Sequence, residues 1–209
     1  MVLPETLQQT ALPVETEREG IIPILISGLP GKMATLVAEA IEHHGDFELL
    51  PLALSSVRHH QEARQIGERK FTLLTLNEPF RCRPNHLAER TIAVDFTKTD
   101  SVFVNARYYA ESHIPFVMGT SVGDHGGELA ALVRNSQISA VIIPNMASSV
   151  VRKFITQIED RDPVERTLMA IRFLARRMTE GSHGQVYSMT DVKKEARRYN
   201  LVPQGGEVR

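Results

Sequence analysis

The sequence predicts an α/β fold in which a doubly wound parallel sheet is followed by C-terminal helices. Short apolar segments alternate with segments of helical period from residue 21 to about residue 150, and this alternation is typical of strands and helices that follow one another. Small or polar residues follow several of the apolar segments directly. Beyond Val150 the helical period continues with only one short apolar interruption.

The first predicted unit is a strand, a helix and a second strand. The strands are expected at 22–27 and 47–54, and the helix at 32–43 between them. A crossover helix of this kind joins parallel strands, and the connection is right-handed almost without exception. The unit therefore predicts the beginning of a parallel sheet.

The same alternation continues along the chain, although the polar region 55–90 gives only one strand. The other predicted strands are 71–76, 91–96, 114–120 and 139–146, and the predicted helices are 100–113, 128–135, 148–158 and 163–179. A short strand at 185–189 and a last helix complete the chain. That helix is expected to open at Thr190, three residues before Lys193.

Composition excludes several classes of protein. With 42% hydrophobic residues, 23% charged residues and a net charge of -1, the chain offers no electrostatic case for nucleic acid or an anionic membrane. Cys82 is the only cysteine, so we expect no internal disulfide and a reducing compartment, the cytoplasm. The acidic residues 1–20 match neither a signal nor a transit peptide, and we expect a flexible arm there.

The turn after the first strand carries the strongest motif. Gly28, Gly31 and Ala34 follow one another at intervals of three, a looser relative of the dinucleotide fingerprint, in which glycines let backbone amides approach a pyrophosphate. A turn with only a structural role is the alternative. The residues predicted to bind the cofactor here are Gly28, Leu29, Pro30, Gly31, Lys32 and Met33.

The end of the second strand indicates which dinucleotide would bind. Ser55, Ser56 and Arg58 stand where an enzyme specific for the unphosphorylated cofactor has an acidic residue. Hydroxyls and a guanidinium suit a 2′-phosphate, so NADPH is the predicted cofactor, with NADH as the alternative. A solvated polar loop is the interpretation without a ligand.

Three later strand ends place small or polar residues at the same predicted edge of the sheet. They have the sequences DFT at 95–97, MGTS at 118–121 and PNM at 144–146. Ligands of open α/β sheets collect at the carboxyl ends of the strands, whereas each motif alone could serve a turn. The residues predicted to line the site are Phe96, Thr97, Gly119, Thr120, Ser121, Asn145 and Met146.

Four motifs taken in order, ISGLPGKMA, VDFT, IPFVMGTSVGD and IIPNMASSVV, resemble the nucleotide-binding domain of the dihydrodipicolinate reductase family, most of all its plant-type branch. The resemblance implies a Rossmann-type dinucleotide-binding domain at 21–151 and a helical segment at 152–209 that packs back on it. It places Gly28, Gly31 and Lys32 at the pyrophosphate. Ser121 and Val122 depart from the threonine and glycine that are usual in the family.

The resemblance also implies a domain that this chain lacks. The family carries a substrate-binding domain between the PNM strand and the C-terminal helix, but only about residues 152–165 occupy that interval here. A separate domain needs far more residues. Glu42, His43 and His44 imitate part of its substrate motif, but we interpret them as a solvated helix terminus.

The sequence therefore leaves the function open between a redox enzyme, a non-catalytic protein and a non-redox enzyme. The first hypothesis is an NADPH-dependent reductase of a small imine, enamine or carbonyl other than dihydrodipicolinate, and the alternatives are a non-catalytic nucleotide-binding regulator and a non-redox lyase or cyclase. Tyr108, Tyr109, His113 and His125 are the candidates for the proton donor. Asp124 is expected to cap the following helix, with a mobile loop over a ligand at 121–127 as the alternative. We expect no metal, and we expect a homodimer formed through the helices 148–158 and 163–179.

Overall fold

The computed structural model describes residues 20–55, 63–75, 90–143 and 163–198. In these ranges the chain forms one eight-stranded sheet with the order β3-β4-β2-β1-β5-β6-β7-β8. The strands are β1 (Ile22–Ser27), β2 (Phe47–Leu54), β3 (Ala63–Ile66), β4 (Arg69–Leu74), β5 (Ile92–Asp95), β6 (Phe116–Met118), β7 (Ala140–Ile142) and β8 (Val186–Ser188). The helices are α1 (Lys32–Glu42), α2 (Thr99–Glu111), α3 (Gly126–Asn135), α4 (Pro163–Thr179) and α5 (Met189–Arg198).

The sheet is parallel except at one edge. β1 pairs in parallel with β2 on one side and with β5 on the other, and the strands from β5 to β8 continue in parallel. β3 and β4 alone pair antiparallel. The predicted Rossmann-type α/β fold is confirmed. The order of strands reverses between β1 and β5, and ligands of open α/β sheets bind at this position.

Helices cover both faces of the sheet. On one face α1, α4 and α5 bury an apolar cluster that includes Val37, Ile171 and Val192, and on the other face α2 and α3 bury a second cluster around Tyr109 and Val133. All six residues of β1 are buried, because the central strand is covered by helices on both sides. Two covered faces are what a parallel sheet of this kind requires.

The β3–β4 hairpin was not expected from the sequence. Three of the four residues of β3 are exposed and only Ile66 is buried, so the strand shows no apolar alternation. Gly67 turns the chain with a φ of +58°, a conformation that glycine adopts at little cost. Arg69, which follows the turn, donates to the Leu49 carbonyl at 2.9 Å and so joins the hairpin to β2.

The C-terminal elements differ from expectation in one detail. β8 pairs with β7, which confirms the short strand at 185–189. The last helix starts at Met189, and its cap is made by Ser188 and Asp191: the amide and hydroxyl of Ser188 each donate to Asp191 Oδ2 at 2.7 Å. This is a capping box. The expected start at Thr190 and Lys193 is wrong because Ser188 occupies the position that precedes the first turn.

Helix α4 uses its apolar residues inside the molecule. Ile171, Phe173 and Leu174 are buried against the sheet, and the exposed large apolar side chains of the described ranges, Leu36, Val104 and Val186, lie on other elements. The homodimer stays a prediction. That prediction assumed exposed apolar surface on its two helices, and α4 does not supply such a surface. The second helix invoked, 148–158, lies outside the described residues. No described helix is long and apolar enough to cross a bilayer.

Candidate functional site

The glycine turn leaves β1 at the position where the strand order reverses. Gly28 has a φ of +105°, and its amide donates to the Leu54 carbonyl at 2.8 Å. The Gly31 amide then donates to the Gly28 carbonyl at 2.8 Å, and α1 begins at the next residue. Gly28 thus belongs to the end of the sheet, whereas Gly31 already directs the chain into the helix.

Two positions in this turn have no room for a side chain. A Cβ atom on Gly28 would lie 2.9 Å from the carbonyl carbon and oxygen of Phe96, and one on Gly31 would lie 2.7 Å from the Gly28 oxygen. Both contacts are with backbone, which cannot rotate away. Ala34, the third position of the motif, lies on the buried face of α1 and is completely buried. The spacing therefore has a structural reason at each of its three positions.

The outer side of the same turn can hold an anion. Pro30, Gly31 and Lys32 are exposed, and no side chain caps the start of α1 at Gly31. The first amides of a helix lack intrahelical partners and carry a partial positive charge, so an uncapped helix start favours a phosphate. The Lys32 ammonium adds a full charge there. The residues present fit the pyrophosphate of a dinucleotide.

The turn is tied to the end of β2. The Ser55 hydroxyl donates to the Leu29 carbonyl, and the Ser55 amide donates to the Leu74 carbonyl at 2.7 Å. Ser55 is therefore occupied as a tether between three strand ends. Ser56 and Arg58, the other two residues predicted at the adenosine side, lie outside the described residues.

A crevice lies at this edge of the sheet. The glycine turn forms its first wall, and the ends of β5 and β6 form its second wall. The Phe96 ring lies across Gly119, since a Cβ atom there would be 2.3 Å from Phe96 Cε1. The Thr120 hydroxyl donates to the Thr97 carbonyl at 2.6 Å, which joins the two turns. Ser121 is exposed just beyond them. Asn145 and Met146, predicted at the third strand end, lie outside the described residues.

The two walls touch one another. The Phe96 amide donates to the Ser27 carbonyl at 3.0 Å, and Phe96 and Met33 both pack partly buried against the core cluster under α1. The structure therefore brings the predicted residues of the first turn together with those of β5 and β6 along one edge of the sheet.

A buried polar network lies beneath this second wall. The carboxylate of Asp95, which is completely buried, accepts hydrogen bonds from the Thr97 amide at 2.8 Å, the Thr97 hydroxyl at 2.6 Å, Asn105 Nδ2 at 2.9 Å and the Tyr109 hydroxyl at 2.7 Å. Ser27 also belongs to the network, because its Oγ lies 2.7 Å from the Tyr109 hydroxyl. A buried carboxylate is tolerated only when it is satisfied in this way.

Helix α2 adds Asn105 and Tyr109 to this network; sequence reasoning missed Asn105 and gave Tyr109 only as a candidate proton donor. Burial and then the neighbouring Asp95 raise the pKa of Tyr109 well above its usual value. The available signal was their spacing: four residues apart, they share the face of α2 that also carries Val102 and Ala106. A polar pair on a buried helix face indicates a partner inside the fold.

The four proton-donor candidates are dispersed: Tyr109 belongs to this network and is completely buried, and His113 lies at the opposite edge of the sheet. Tyr108 is half-buried on α2, with its ring against that of Tyr109. His125 is exposed and lies 3.3 Å from the carboxylate of Glu128. The expected cap by Asp124 is wrong: α3 begins after His125 with no side-chain cap, because residues 123–125 form a turn of 3-10 helix.

A cavity of about 410 Å³ opens at the opposite edge of the sheet. Its lining includes Arg90, His113 and Gln137, which precede β5, β6 and β7 and have φ angles of 72°, 53° and 58°. His113 and Gln137 lie two residues beyond the ends of α2 and α3, just after the C-cap residue, where a left-handed residue commonly terminates a helix. The cavity is therefore separate from the crevice. In the part of the chain described, no three metal-binding side chains come together.

The comparisons with known proteins agree with this geometry. A family model described as "Dihydrodipicolinate reductase, N-terminus" matches residues 22–146, which is more than half of the chain. A probable 4-hydroxy-tetrahydrodipicolinate reductase 2, chloroplastic, of Oryza sativa subsp. japonica is 37% identical over 139 residues, covering 62% of this chain and 40% of the relative. The corresponding reductase 1 of Arabidopsis thaliana is 29% identical over 163 residues, covering 71% and 45%.

Two more distant matches cover similar shares of the chain. A 4-hydroxy-tetrahydrodipicolinate reductase of Lactiplantibacillus plantarum is 25% identical over 134 residues, covering 63% of this chain and 49% of the relative. A solved dipicolinate-bound dihydrodipicolinate reductase from Paenisporosarcina sp. TG-14 has a TM-score of 0.45 and 16% identity, covering 61% of this chain and 48% of that one. The chain thus spans less than half the length of these relatives.

The expectation of a cytoplasmic protein is wrong. The similar reductases of rice and Arabidopsis carry the description chloroplastic. The physical reason is that a single cysteine and a near-neutral charge indicate a reducing compartment and do not distinguish one such compartment from another. With the family model matched from β1 through the PNM motif and the glycine turn at the reversal of strand order, the chain belongs to the dihydrodipicolinate reductase family.

Proposed function

We propose that the chain is an NAD(P)H-dependent reductase that binds NADPH in the crevice between β1 and β5. The observation that carries the proposal is the uncapped start of α1, with exposed Gly31 and Lys32 directly after a turn that excludes side chains. Such a turn at the reversal of strand order favours a dinucleotide over a smaller ligand. The family to which the chain belongs supports a nicotinamide cofactor.

In this proposal the two walls of the crevice contact different parts of the cofactor. The amides at the start of α1 and the Lys32 ammonium hold the diphosphate, while Phe96, Thr97 and Gly119 border the nicotinamide half. Bound NADPH supplies the hydride. The protein binds and orients the cofactor and excludes water from its reactive face. The absence of an acid among Ser55, Ser56 and Arg58 favours the 2′-phosphate of NADPH over the free hydroxyl of NADH.

The substrate that we propose is a small imine, enamine or carbonyl other than dihydrodipicolinate. The interval from Pro144 to Asp162, between β7 and α4, contains too few residues for a separate substrate-binding domain. A substrate would therefore contact residues of that interval, the loop after β6, or a second chain. This requirement favours a compound smaller than those that a two-domain enzyme encloses.

A non-catalytic nucleotide-binding role is the second candidate, and one observation favours it. The phenol of Tyr109, beneath the turn after β5, is completely buried and donates to Asp95, so it cannot donate a proton to a substrate. His125 is exposed and paired with Glu128. Neither group is placed as a general acid must be, within hydrogen-bond reach of the reacting atom.

Calorimetric titration of the protein with NADPH and NADH tests cofactor binding. Lys32→Ala should weaken NADPH binding about fivefold, the effect of losing roughly 1 kcal/mol from an exposed ion pair. Lys194→Ala removes an exposed lysine from α5 and is the matched control, with no change expected. Absence of NADPH binding by the unaltered protein at millimolar concentration would contradict the proposal.

Oxidation of NADPH in the presence of small imines and keto acids separates the two candidates. Oxidation that depends on one of these substrates is expected for a reductase. Tight binding of NADPH without oxidation across the whole panel would favour the regulatory role.

A further inference from the structure

We propose that Tyr109 is a positioning residue for the cofactor: its buried hydroxyl holds the turn that borders the nicotinamide half of the crevice. The inference rests on the proposed NADPH site and adds a residue that does not touch the ligand. Tyr109 acts through Asp95, whose carboxylate accepts from the Tyr109 hydroxyl at 2.7 Å.

Asp95 organises the turn that follows β5. One of its oxygens accepts from both the amide and the hydroxyl of Thr97, at 2.8 and 2.6 Å. The other oxygen accepts from Tyr109 and from Asn105 Nδ2. The hydrogen bonds that α2 donates to one carboxylate oxygen therefore orient the other oxygen, which holds Thr97. Because no single-bond rotation of the carboxylate preserves all four contacts, a change at the α2 side is transmitted to Thr97.

Tyr109 also joins this network to β1. Its single proton is donated to Asp95, so the 2.7 Å contact with Ser27 has the Ser27 hydroxyl as donor. Ser27 is the residue directly before the glycine turn. Ser27, Asp95 and Tyr109 are completely buried, so bulk water cannot replace the phenol when it is removed.

The two walls of the crevice depend on Tyr109 unequally. The glycine turn keeps its own bonds: the Gly28 amide to Leu54, the Gly31 amide to Gly28, and the Ser55 hydroxyl to Leu29. The turn after β5 depends mainly on Asp95. Removal of the phenol should therefore displace the nicotinamide wall and leave the phosphate and adenosine wall in place.

This asymmetry separates positioning from a merely structural role. Loss of stability alone changes binding only through the unfolded fraction, which affects every ligand equally and is negligible well below the melting temperature. Displacement of one wall affects only a ligand that reaches it. Adenosine 2′,5′-bisphosphate, which lacks the nicotinamide half, is the comparison ligand for NADPH.

The experiment compares Tyr109→Phe with the unaltered protein by calorimetry, at a temperature well below both melting temperatures. We expect the NADPH dissociation constant to rise about tenfold, the scale of losing one hydrogen bond to a charged group, and that of the bisphosphate to change less than about twofold. Tyr187→Phe is the matched control. Its phenol lies on β8, on the far side of β7 from the crevice, so its removal should alter neither constant.

Asn105→Ala gives a second test that does not need Tyr109→Phe to fold. It removes the donor to Asp95 and to the Thr97 hydroxyl, at 2.9 Å each, and should reproduce the selective loss of NADPH affinity. Equal losses for both ligands, or no loss for either, would overturn the positioning role. If the unaltered protein binds neither the bisphosphate nor NADPH, the proposed function is wrong, and the positioning role is wrong with it.

Discussion

Substitution of Gly28 by alanine tests whether the glycine turn and the turn after β5 are in contact. Gly28 has a φ of +105°, and the added methyl group would lie 2.9 Å from the carbonyl carbon and oxygen of Phe96 and 3.2 Å from the Thr97 amide nitrogen. All three atoms are backbone. They are held by the bond from the Phe96 amide to the Ser27 carbonyl, 3.0 Å long.

Two costs should add in this variant. A positive φ costs a residue with a Cβ atom roughly 1–2 kcal/mol, and the overpacked contact adds about 1–3 kcal/mol because the backbone must shift. We therefore expect the free energy of unfolding to fall by about 2–5 kcal/mol. NADPH affinity should fall as well, since both walls of the crevice move apart.

Gly67→Ala isolates the first of these costs. Gly67 also has a positive φ, +58°, but no atom lies within 4 Å of the position that its Cβ would take. Urea titrations analysed by linear extrapolation should give a loss of about 1–2 kcal/mol for this control. Equal losses for Gly67→Ala and Gly28→Ala would refute the reasoning, because they would mean that the close approach of Phe96 costs nothing.

Three further predictions concern other parts of the molecule. Gly119→Ala should weaken NADPH binding because its methyl group meets the Phe96 ring at 2.3 Å, and Phe96→Leu in the same chain should recover part of the loss; additive effects in a double-mutant cycle would argue against this contact. Asp191→Asn should destabilise the fold by about 1 kcal/mol at neutral pH through its cap of α5. Hydrogen bonds from Ser188 lower the pKa of Asp191, so the stabilisation is present above the usual carboxyl pKa and should decrease as the pH falls through the lowered value. Urea titrations in which the difference between the two proteins does not decrease with falling pH would contradict the cap. Burial, and then Asp95, raise the pKa of Tyr109, so of the four tyrosines this one should ionise in an ultraviolet titration only when alkaline unfolding occurs, and Tyr109→Phe should show one phenol fewer in that last step.

The sequence predicted the central sheet well because its signals are local. The apolar run at β1, the interval of three between Gly28 and Gly31, and the helical period of α1 each report a property of neighbouring residues. The hairpin at β3 could not be found in this way, since an edge strand with one buried residue has no alternation. The start of α5 was misplaced for a similar reason, because the capping pair Ser188 and Asp191 lies within a segment that also forms β8.

Apart from β3, the succession of strands and helices along the chain could be read from the residues alone, and so could the position of the turn that can hold a phosphate. Backbone preferences and apolar period act over a few residues, so they need no knowledge of distant partners. The buried network could not be read in this way, because Ser27 and Tyr109 are 82 residues apart and meet only when β1 and β5 are neighbours under α2. Hydrogen bonds between distant side chains depend on which elements pack together, and packing is a property of the whole chain. For this reason only the tertiary structure showed that Tyr109 joins Asp95 to Ser27, the contacts from which we infer that it positions the cofactor.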